Sequence, residues 1–522
     1  MRLSCIALLC VFITVTGSLG GCASVRPEAD YRRASRTIAE ATGAATTTMP
    51  GDSRADTFNP LASLSDGLTA DEAVQLGLLN NPRLLAAFHD IGIARAELVQ
   101  STLFSNPTLA MSIAFPEGGG LSNIQATFAQ NIVDLWQIPI RQRAADRALD
   151  AEIMLVAQRA VDLANETRSA YFTAVAADQA VTISEENVRL ATQLLEVAQA
   201  RQAAGTVGEL DVNLARGTLY GTELDLQRAK LDARSARRRL ATPLGLTRPI
   251  DDVALTTPLA ADQLNIAATD AVLEIALANR PDIRAAREIS ERRYSQFRLE
   301  YLKIFPDVSV GFYDERNEAR SLPGRRIPAN TARASVAAGQ PAAPEIQSRG
   351  QRQQERSQEI SNIFGPAFNL TLPVFDQNQA QIAKARLSYE QSLAELDALE
   401  RSAVQQVRQA VDQTQTTLKV ARYYREKLLP QANANLDLSR RSYEVGRSSI
   451  IVLLDAQRVL LSARREAIAA DRDFSISIAE LERVAARPYS ALAGTTTSPA
   501  DSIARDLSPN PDEFNAVRGK DE

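Results

Sequence analysis

Glu72-Ala73-Val74-Gln75-Leu76 leads into Asn80-Asn81-Pro82-Arg83-Leu84, and 199 residues further on Ala271-Val272-Leu273-Glu274-Ile275 leads into Asn279-Arg280-Pro281-Asp282-Ile283. A second proline keeps the same offset, Pro107 against Pro306. Proline fixes φ, lacks an N–H donor and restricts the residue before it. Each copy therefore predicts a short helix, a proline, a longer helix, a proline and then a strand. A tandem duplication also implies that neither copy buries its apolar face alone.

A second match holds at an offset of 241. Val212, Ala215, Leu219, Thr222, Leu226, Ala229, Ala233, Ala236 and Leu240 alternate steps of three and four. Leu453, Ala456, Leu460, Ala463, Ala467, Ala470, Phe474, Ser477 and Leu481 repeat the pattern. Such spacing is a coiled-coil seam. The offset grows because an irregular, arginine-rich insertion occupies 317–360 of the second copy. Two readings stand for that insertion: an extracellular loop facing anionic lipopolysaccharide, or plain disorder. Farther upstream, Val181, Ser184, Val188, Ala191, Leu195 and Ala198 form one seam, with Ile183, Leu190, Leu194 and Val197 forming another around the same helix. Two seams on one helix suit a closed ring of helices better than a rope. A helix of 60 to 65 residues is roughly 90–100 Å long, the scale of a conduit rather than of a compact enzyme.

Composition agrees. The 522 residues are 45% hydrophobic but only 5% aromatic, which fits narrow helical seams better than large globular cores. A net charge of -5 speaks against a nucleic-acid partner held by bulk charge, and a single histidine excludes a His-based metal cage. His89 reads as an ordinary packing or surface residue. No nucleophile elbow, P-loop, dinucleotide fingerprint or zinc motif is present, so no catalytic residue, cofactor or metal is expected.

Residues 1–21 read as a signal peptide, with Arg2 as the positive n-region and Ile6 to Val15 as an apolar stretch too short to span a bilayer. Leu19-Gly20-Gly21-Cys22 resembles the bacterial lipobox, which implies acylation of Cys22; the alternative is a secretory signal with a stray cysteine. Once residues 1–21 are removed Cys22 is the one cysteine left, so no internal disulfide forms. By the same lipoprotein resemblance, Ala23 implies sorting to the outer membrane. Residues 22–65, rich in Ala, Thr, Ser and Asp, read as a flexible tether.

Candidate strands lie between the helices, near 108–115, 124–134, 307–313 and 363–373. Leu109, Met111, Ile113 and Phe115 alternate with small and polar residues, and so do Ile124, Ala126 and Phe128 after Gly118-Gly119-Gly120. In the second copy the apolar alternates are Val308, Val310 and Phe312, then Phe368, Leu370 and Leu372. One apolar face is what a lipid-facing barrel requires. A soluble hairpin has the same period, but the duplication, the lipobox and the long helices favour the membrane. Four strands cannot close a barrel, and open edges are intolerable in lipid. Two chains would give eight strands and a filled bore; three give twelve and a passage.

The full order resembles the TolC-like outer-membrane efflux family over roughly residues 65 to 490. Asn80-Asn81-Pro82, the stretch Leu372-Pro373-Val374-Phe375-Asp376-Gln377-Asn378-Gln379, the turn Leu429-Pro430-Gln431-Ala432, Tyr443-Glu444-Val445-Gly446 and Val452-Leu453-Leu454-Asp455-Ala456-Gln457 carry the resemblance. The second and third of these most resemble the heavy-metal, cobalt-zinc-cadmium branch. The family implies a mainly α fold with a small β membrane part. Its duplicated long coiled-coil helices form an α-barrel, and four strands per chain enter a shared trimeric twelve-stranded β-barrel. The chain then divides into a first repeat (66–242), an equatorial linker (243–268), a second repeat (269–487) and a loose tail (488–522). The implied function is passive export across the outer membrane of substrates delivered by an inner-membrane pump, of the resistance-nodulation-division type, through a periplasmic membrane-fusion adaptor. A non-conducting coiled-coil scaffold and a type I secretion exit duct are the alternatives.

The same resemblance assigns the periplasmic entrance and adaptor docking to the duplicated tips. Gly205, Glu209 and Asp211 lie on the first tip, and Tyr443, Gly446, Arg447 and Asp455 on or just after the second. Asp211 and Tyr443 fall on positions of closing contacts, and Asp455 on that of an acidic ring. Ser448 stands where relatives can have an arginine clamp and Val452 where they can have a second acidic residue. The closing contact is then weaker here, or made from Arg447 and Glu209.

Overall fold

The structure, a computed structural model, describes residues 24–44, 49–50, 67–115, 122–259, 268–318, 336–339 and 360–492. Cys22 and the signal segment, the Gly118–Gly120 turn, most of the 317–360 insertion and the tail beyond 492 lie outside the described residues. The chain divides into two compact units. One contains Ala96–Arg147 and Ser290–Ser392, the other Ser24–Arg95, Ala148–Ile289 and the described residues from Leu393 onward. Among the described residues, no helix is long and apolar enough to cross a membrane.

The first unit is built on a four-stranded antiparallel sheet in the order β1 (Thr108–Ala114), β2 (Asn123–Asn131), β3 (Val308–Glu318) and β4 (Ile360–Leu370). The pairing between β2 and β3 joins the two sequence repeats. Register decides which residues share a face. Leu109 opposes Phe128, Phe128 opposes Phe312, and Phe312 opposes Pro366. Met111, Ile113, Ile124, Val310, Phe364, Phe368 and Leu370 fall on that same face, where the Phe312 and Phe364 rings stack 5.9 Å apart. Leu109, Met111 and Phe368 are each about two-thirds exposed or more, at 68%, 65% and 73%. The opposite face carries Thr108, Ser112, Gln125, Thr127, Ser309 and Asn369. β3 runs five residues past the expected 313, and β4 starts at 360 rather than 363, because Asp314 to Glu318 stay in the ladder opposite Phe364 to Ile360. Backbone pairing does not need the apolar alternation to continue.

The second unit holds most of the helical seams, and the helices follow in chain order. α1 (Glu28–Thr42) lies inside the expected tether. Tyr31, Ala34, Ile38 and Ala41 bury one stripe at helical spacing, and the Tyr31 ring meets Phe88 edge-on at 6.0 Å. The Ala- and Thr-rich composition masked that periodicity. α2 (Ala70–Asn80) opens on a capping box, in which Thr69 N–H donates to the Glu72 carboxylate and Glu72 N–H to the Thr69 hydroxyl. The Thr69 N–H and hydroxyl, both donating to that carboxylate, hold the Glu72 carboxyl below its usual pKa. α3 (Pro82–Ser101) follows the first proline. The 70-residue α4 (Asp134–Ala203) and α5 (Glu209–Ala241) form the first hairpin. In the second repeat, α6 (Thr269–Asn279) and α7 (Pro281–Leu302) precede β3. After β4 come α8 (Gln379–Tyr423), α9 (Leu429–Glu444), α10 (Ile450–Ala485) and the single turn α11 (Tyr489–Leu492).

Both predicted seams bury. Val212, Ala215, Ala233, Ala236 and Leu240 are covered in α5, as are Leu453, Leu460, Ala467, Ala470, Phe474 and Leu481 in α10. The base of each repeat has its own core: Ala73, Tyr171, Leu240 and Leu244 in the first, Val272, Val407, Leu481 and Leu492 in the second. Leu492 thereby makes the start of the expected loose tail part of the fold. The Asn-Asn-Pro motif is a clasp for the end of α5. Asn80 Nδ2 donates to the carbonyls of Leu244 and Gly245, and Asn81 Nδ2 to that of Pro243. Gly245 there has φ +69°, and its counterpart 241 residues on, Ala486, has φ +48°. The two repeats are tied together by Arg168, which donates to Glu482 at 2.6 Å, and by Asn165, which donates to Glu480. Leu429-Pro430 is not a turn. Pro430 has no N–H to give to Glu426, and the chain stays helical through a π segment, Tyr424–Leu428, in which Leu429 N–H bonds the Tyr424 carbonyl.

Glycine 311 is demanded by the sheet, since a Cβ there would run into the Phe128 carbonyl oxygen, whereas one at Gly365 meets nothing within 4 Å. Gly311→Ala is expected to lower the thermal midpoint of the detergent-solubilised protein, by at least the roughly 1–3 kcal/mol of ordinary overpacking, while Gly365→Ala leaves it nearly unchanged. Equal effects would refute the β2–β3 register.

Candidate functional site

The tips are duplicates in geometry as well as in sequence. α4 ends at Ala203 and Gly205 takes φ +73°; α9 ends at Glu444 and Gly446 takes φ +74°. Thr206 N–H donates to the Arg201 carbonyl and Gly205 N–H to that of Gln202; Arg447 N–H donates to Ser442 and Gly446 N–H to Tyr443. This is the same Schellman closure twice, and a left-handed residue at that position favours glycine. Glu209 and Ile450 then start the ascending helices, preceded by Gly208 and Ser449 in extended conformation.

A buried cluster fastens one tip to the other. Leu194, Ala198, Val212 and Ala215 of the first hairpin pack with Tyr443, Ile450 and Leu453 of the second. Above it, Arg201 reaches from the last turn of α4. Its Nη1 donates to the Tyr443 carbonyl at 2.6 Å, and its guanidinium lies 4.5 Å from the centre of the Tyr443 ring. Tyr443 is almost wholly buried. Burial raises the pKa of its hydroxyl; Arg201 opposes that shift and the charge of Asp211 adds to it. One guanidinium thus satisfies a helix-end carbonyl and makes a cation–π contact.

Not every expected contact forms within one chain. No hydrogen bond of good geometry reaches the Tyr443 hydroxyl among the described residues, so Asp211 is near it electrostatically without bonding it. Glu209 and Arg447 are both exposed and make no ion pair among the described residues. Asp455 is exposed and pairs with Arg458 at 2.9 Å. It lines a groove of about 680 Å³ together with Leu214, Leu224, Asp225 and Arg458. Beneath lies a buried amide pair, Gln457 Nε2 donating to Asn187 Oδ1 at 3.0 Å, which fixes α10 against α4. Arg201 is the residue that the sequence did not single out. Its signal was modest: a cation in the last turn of a helix, four residues before the glycine that ends it.

The chain thus combines a four-stranded antiparallel sheet, its large apolar side chains mostly on one face, with duplicated helical hairpins. The chain belongs to the outer membrane efflux protein family, whose model matches residues 73–246 and 272–487. It is similar to the cobalt-zinc-cadmium resistance protein CzcC of Cupriavidus metallidurans, 23% identical over 399 residues, which span 76% of this chain and 85% of that one. In fold it resembles the outer-membrane channel OprN, with a TM-score of 0.60 at 19% identity over 85% of this chain and 97% of that one. It also resembles the CmeC outer membrane channel of Campylobacter jejuni, with a TM-score of 0.62 at 17% identity over 84% and 89%. Efflux across the outer membrane is the function of the chain, and members of its family work with adaptors and inner-membrane pumps.

Removing the Arg201 side chain leaves a helix-end carbonyl without its charged donor, a loss of about 1.5–3 kcal/mol. Arg201→Ala is expected to speed hydrogen exchange at the Gly446 and Arg447 amides by roughly tenfold or more, with mid-helix amides of α10 unchanged. Arg447→Ala should leave exchange at the Gly446 amide unchanged. Unaltered exchange in Arg201→Ala would remove the clamp from the account.

Proposed function

We propose that three copies of this chain join edge to edge into a twelve-stranded barrel and form the exit duct of a tripartite efflux assembly. Cys22, acylated, anchors each copy to outer-membrane lipid. An inner-membrane pump of the resistance-nodulation-division type supplies the substrate, and a periplasmic adaptor docks on the duplicated tips. The observation that carries this proposal is the sheet, in which β1 and β4 are edge strands while the large apolar side chains of all four share one face, interrupted toward the end of β3 by Asp314 and Arg316. Four strands leave both edges unpaired, and hydrocarbon cannot satisfy them. Three copies supply twelve strands and leave a passage.

The helices support the same stoichiometry. Leu210, Leu224 and Leu231 form an exposed stripe on α5 at heptad spacing, and Val452 and Val459 do so on α10. A second stripe beside an already buried seam calls for a neighbouring helix. At the tips, Val445, Leu210 and Ile451 are exposed around the two glycine turns, an apolar rim suited to a helical partner. Similarity to CzcC favours a pump that exports divalent metal cations. The duct itself passes what the pump delivers, and among the described residues no acidic, His or Cys cluster could hold a metal ion.

Planar-bilayer recording tests the duct against a closed scaffold, since only the duct gives discrete conductance steps. Three Asp455 carboxylates around one axis would attract cations, and each Arg458 would offset its neighbour. Asp455→Asn is expected to lower cation preference and Arg458→Gln to raise it. Wild-type bilayers without conductance would contradict the duct, and unchanged selectivity in both variants would take Asp455 away from the pore.

A further inference from the structure

The descending helices of the two hairpins differ in a way that the duplication does not carry. α4 is unbroken from Asp134 to Ala203, whereas its counterpart passes from α8 to α9 through the π segment Tyr424–Leu428. At the offset of 241 that segment corresponds to Ile183–Asn187, which is regular α-helix, and Pro430 corresponds to Arg189. A proline ring crowds the carbonyl four residues before it, here that of Glu426. A wider turn eases that crowding, and π bulges and prolines are the places where long helices bend.

Packing within one copy changes at the same point. On the α8 side Val407, Ala410, Val411, Leu418 and Ala421 are buried, and the Thr414 hydroxyl donates to the Ser477 carbonyl of α10 at 3.2 Å. No residue of the π segment is buried, and the 16 residues of α9 bury only Ala432 and Tyr443. α10, beside it, is fastened to the first hairpin by Gln457–Asn187 at 3.0 Å and Arg464–Glu186 at 3.1 Å. α9 is held mainly at its ends. One end is the π segment, from which Arg425 reaches Asp471 of α10 at 2.6 Å; the other is Tyr443 under the Arg201 guanidinium. Between them, among the described residues, one longer side-chain bond reaches α9, Arg464 to Asn433 at 3.4 Å.

We propose, on the reading of the tips as the periplasmic entrance, that Tyr424–Leu428 is a hinge. α9 swings on it as a stiff arm, latched at its far end by Arg201, and this jointed helix sets the width of the entrance. α9 keeps its own backbone bonds in such a swing, so the bonds that open are those of the π turn and of the latch. Arg425, crossing from the hinge to Asp471, limits the travel. α4 has no equivalent joint, because its Ile183–Asn187 turn keeps regular α bonds.

Hydrogen exchange of the detergent-solubilised full chain separates a hinged arm from a frayed tip. The π segment lies about 15 residues, roughly 22 Å, from the Tyr443 end of α9 at 1.5 Å per residue. Arg201→Ala is expected to speed exchange at the distant Leu428 and Leu429 amides roughly threefold or more, while amides in the middle of α9 match the parent. Adding Pro430→Ala, which returns an N–H to the helix, should cancel that distant effect. Exchange that rises from Glu444 back toward Leu438 and never reaches the π segment is fraying, and would overturn the hinge. Should the double variant fail to assemble, Arg201→Lys, which keeps the charge, serves instead: a distant effect in Arg201→Ala and not in Arg201→Lys supports the hinge, and its absence from Arg201→Ala overturns it. Planar-bilayer recording tests the entrance separately, since Arg201→Ala should raise conductance and Pro430→Ala in the same chain should lower it again. Distant exchange with unchanged conductance in both variants would leave the joint in place and overturn its role at an entrance.

Discussion

A β-strand edge cannot face hydrocarbon. Each N–H and C=O left unpaired there costs several kcal/mol, and this chain presents two such edges, on β1 and β4, with an apolar face between them. Among the described residues neither edge has a strand partner. The rest of the molecule is compatible with a partner of the same kind on each side. Small residues line the seams, so that helices approach closely, and apolar stripes remain exposed on α5 and α10. Association between copies, as proposed above, would pair the sheet edges and cover the helix stripes.

In the helical hairpins, duplication brings a different physical problem. Two helix ends must reverse, and both do so with a left-handed glycine and the same pair of backbone bonds. The reversals are similar but their surroundings are not. The first tip supplies Arg201 and the second supplies the ring and carbonyl that receive it. Divergence between the copies therefore turned two equivalent turns into a donor and an acceptor. The same divergence gives Thr69 and Glu72 a capping box while Ala268, its counterpart, caps nothing.

Much of this was legible because periodicity reports packing directly. The offset of 241 predicted equivalent turns, and Gly205 and Gly446 adopt φ values one degree apart. The seams written by Val212 to Leu240 and Leu453 to Leu481 are the seams that bury, and the apolar alternates of the strands share a face. Where side chains carry no period, the sequence was less informative. α1 lies in a stretch rich in Ala, Thr, Ser and Asp and carries only two large apolar side chains, so its Tyr31–Ile38 stripe looked like linker. β3 continues through Asp314–Glu318 because ladder bonds are indifferent to side-chain polarity. Pro430 signals a break in either a turn or a helix, and only the i to i+5 bond at Leu429 tells them apart. The Arg201–Tyr443 contact depends on which faces of two distant helices meet, which no local pattern states. Within one chain that arginine engages the Tyr443 carbonyl and ring, and no hydrogen bond of good geometry reaches the Tyr443 hydroxyl among the described residues.

The number of copies that close the sheet decides whether the barrel leaves a passage. Native mass spectrometry of the detergent-solubilised full chain, with detergent stripped in the gas phase, counts them directly. A dominant species at three times the chain mass is the predicted result. A monomer, or a dimer whose eight strands would leave no passage, would contradict it.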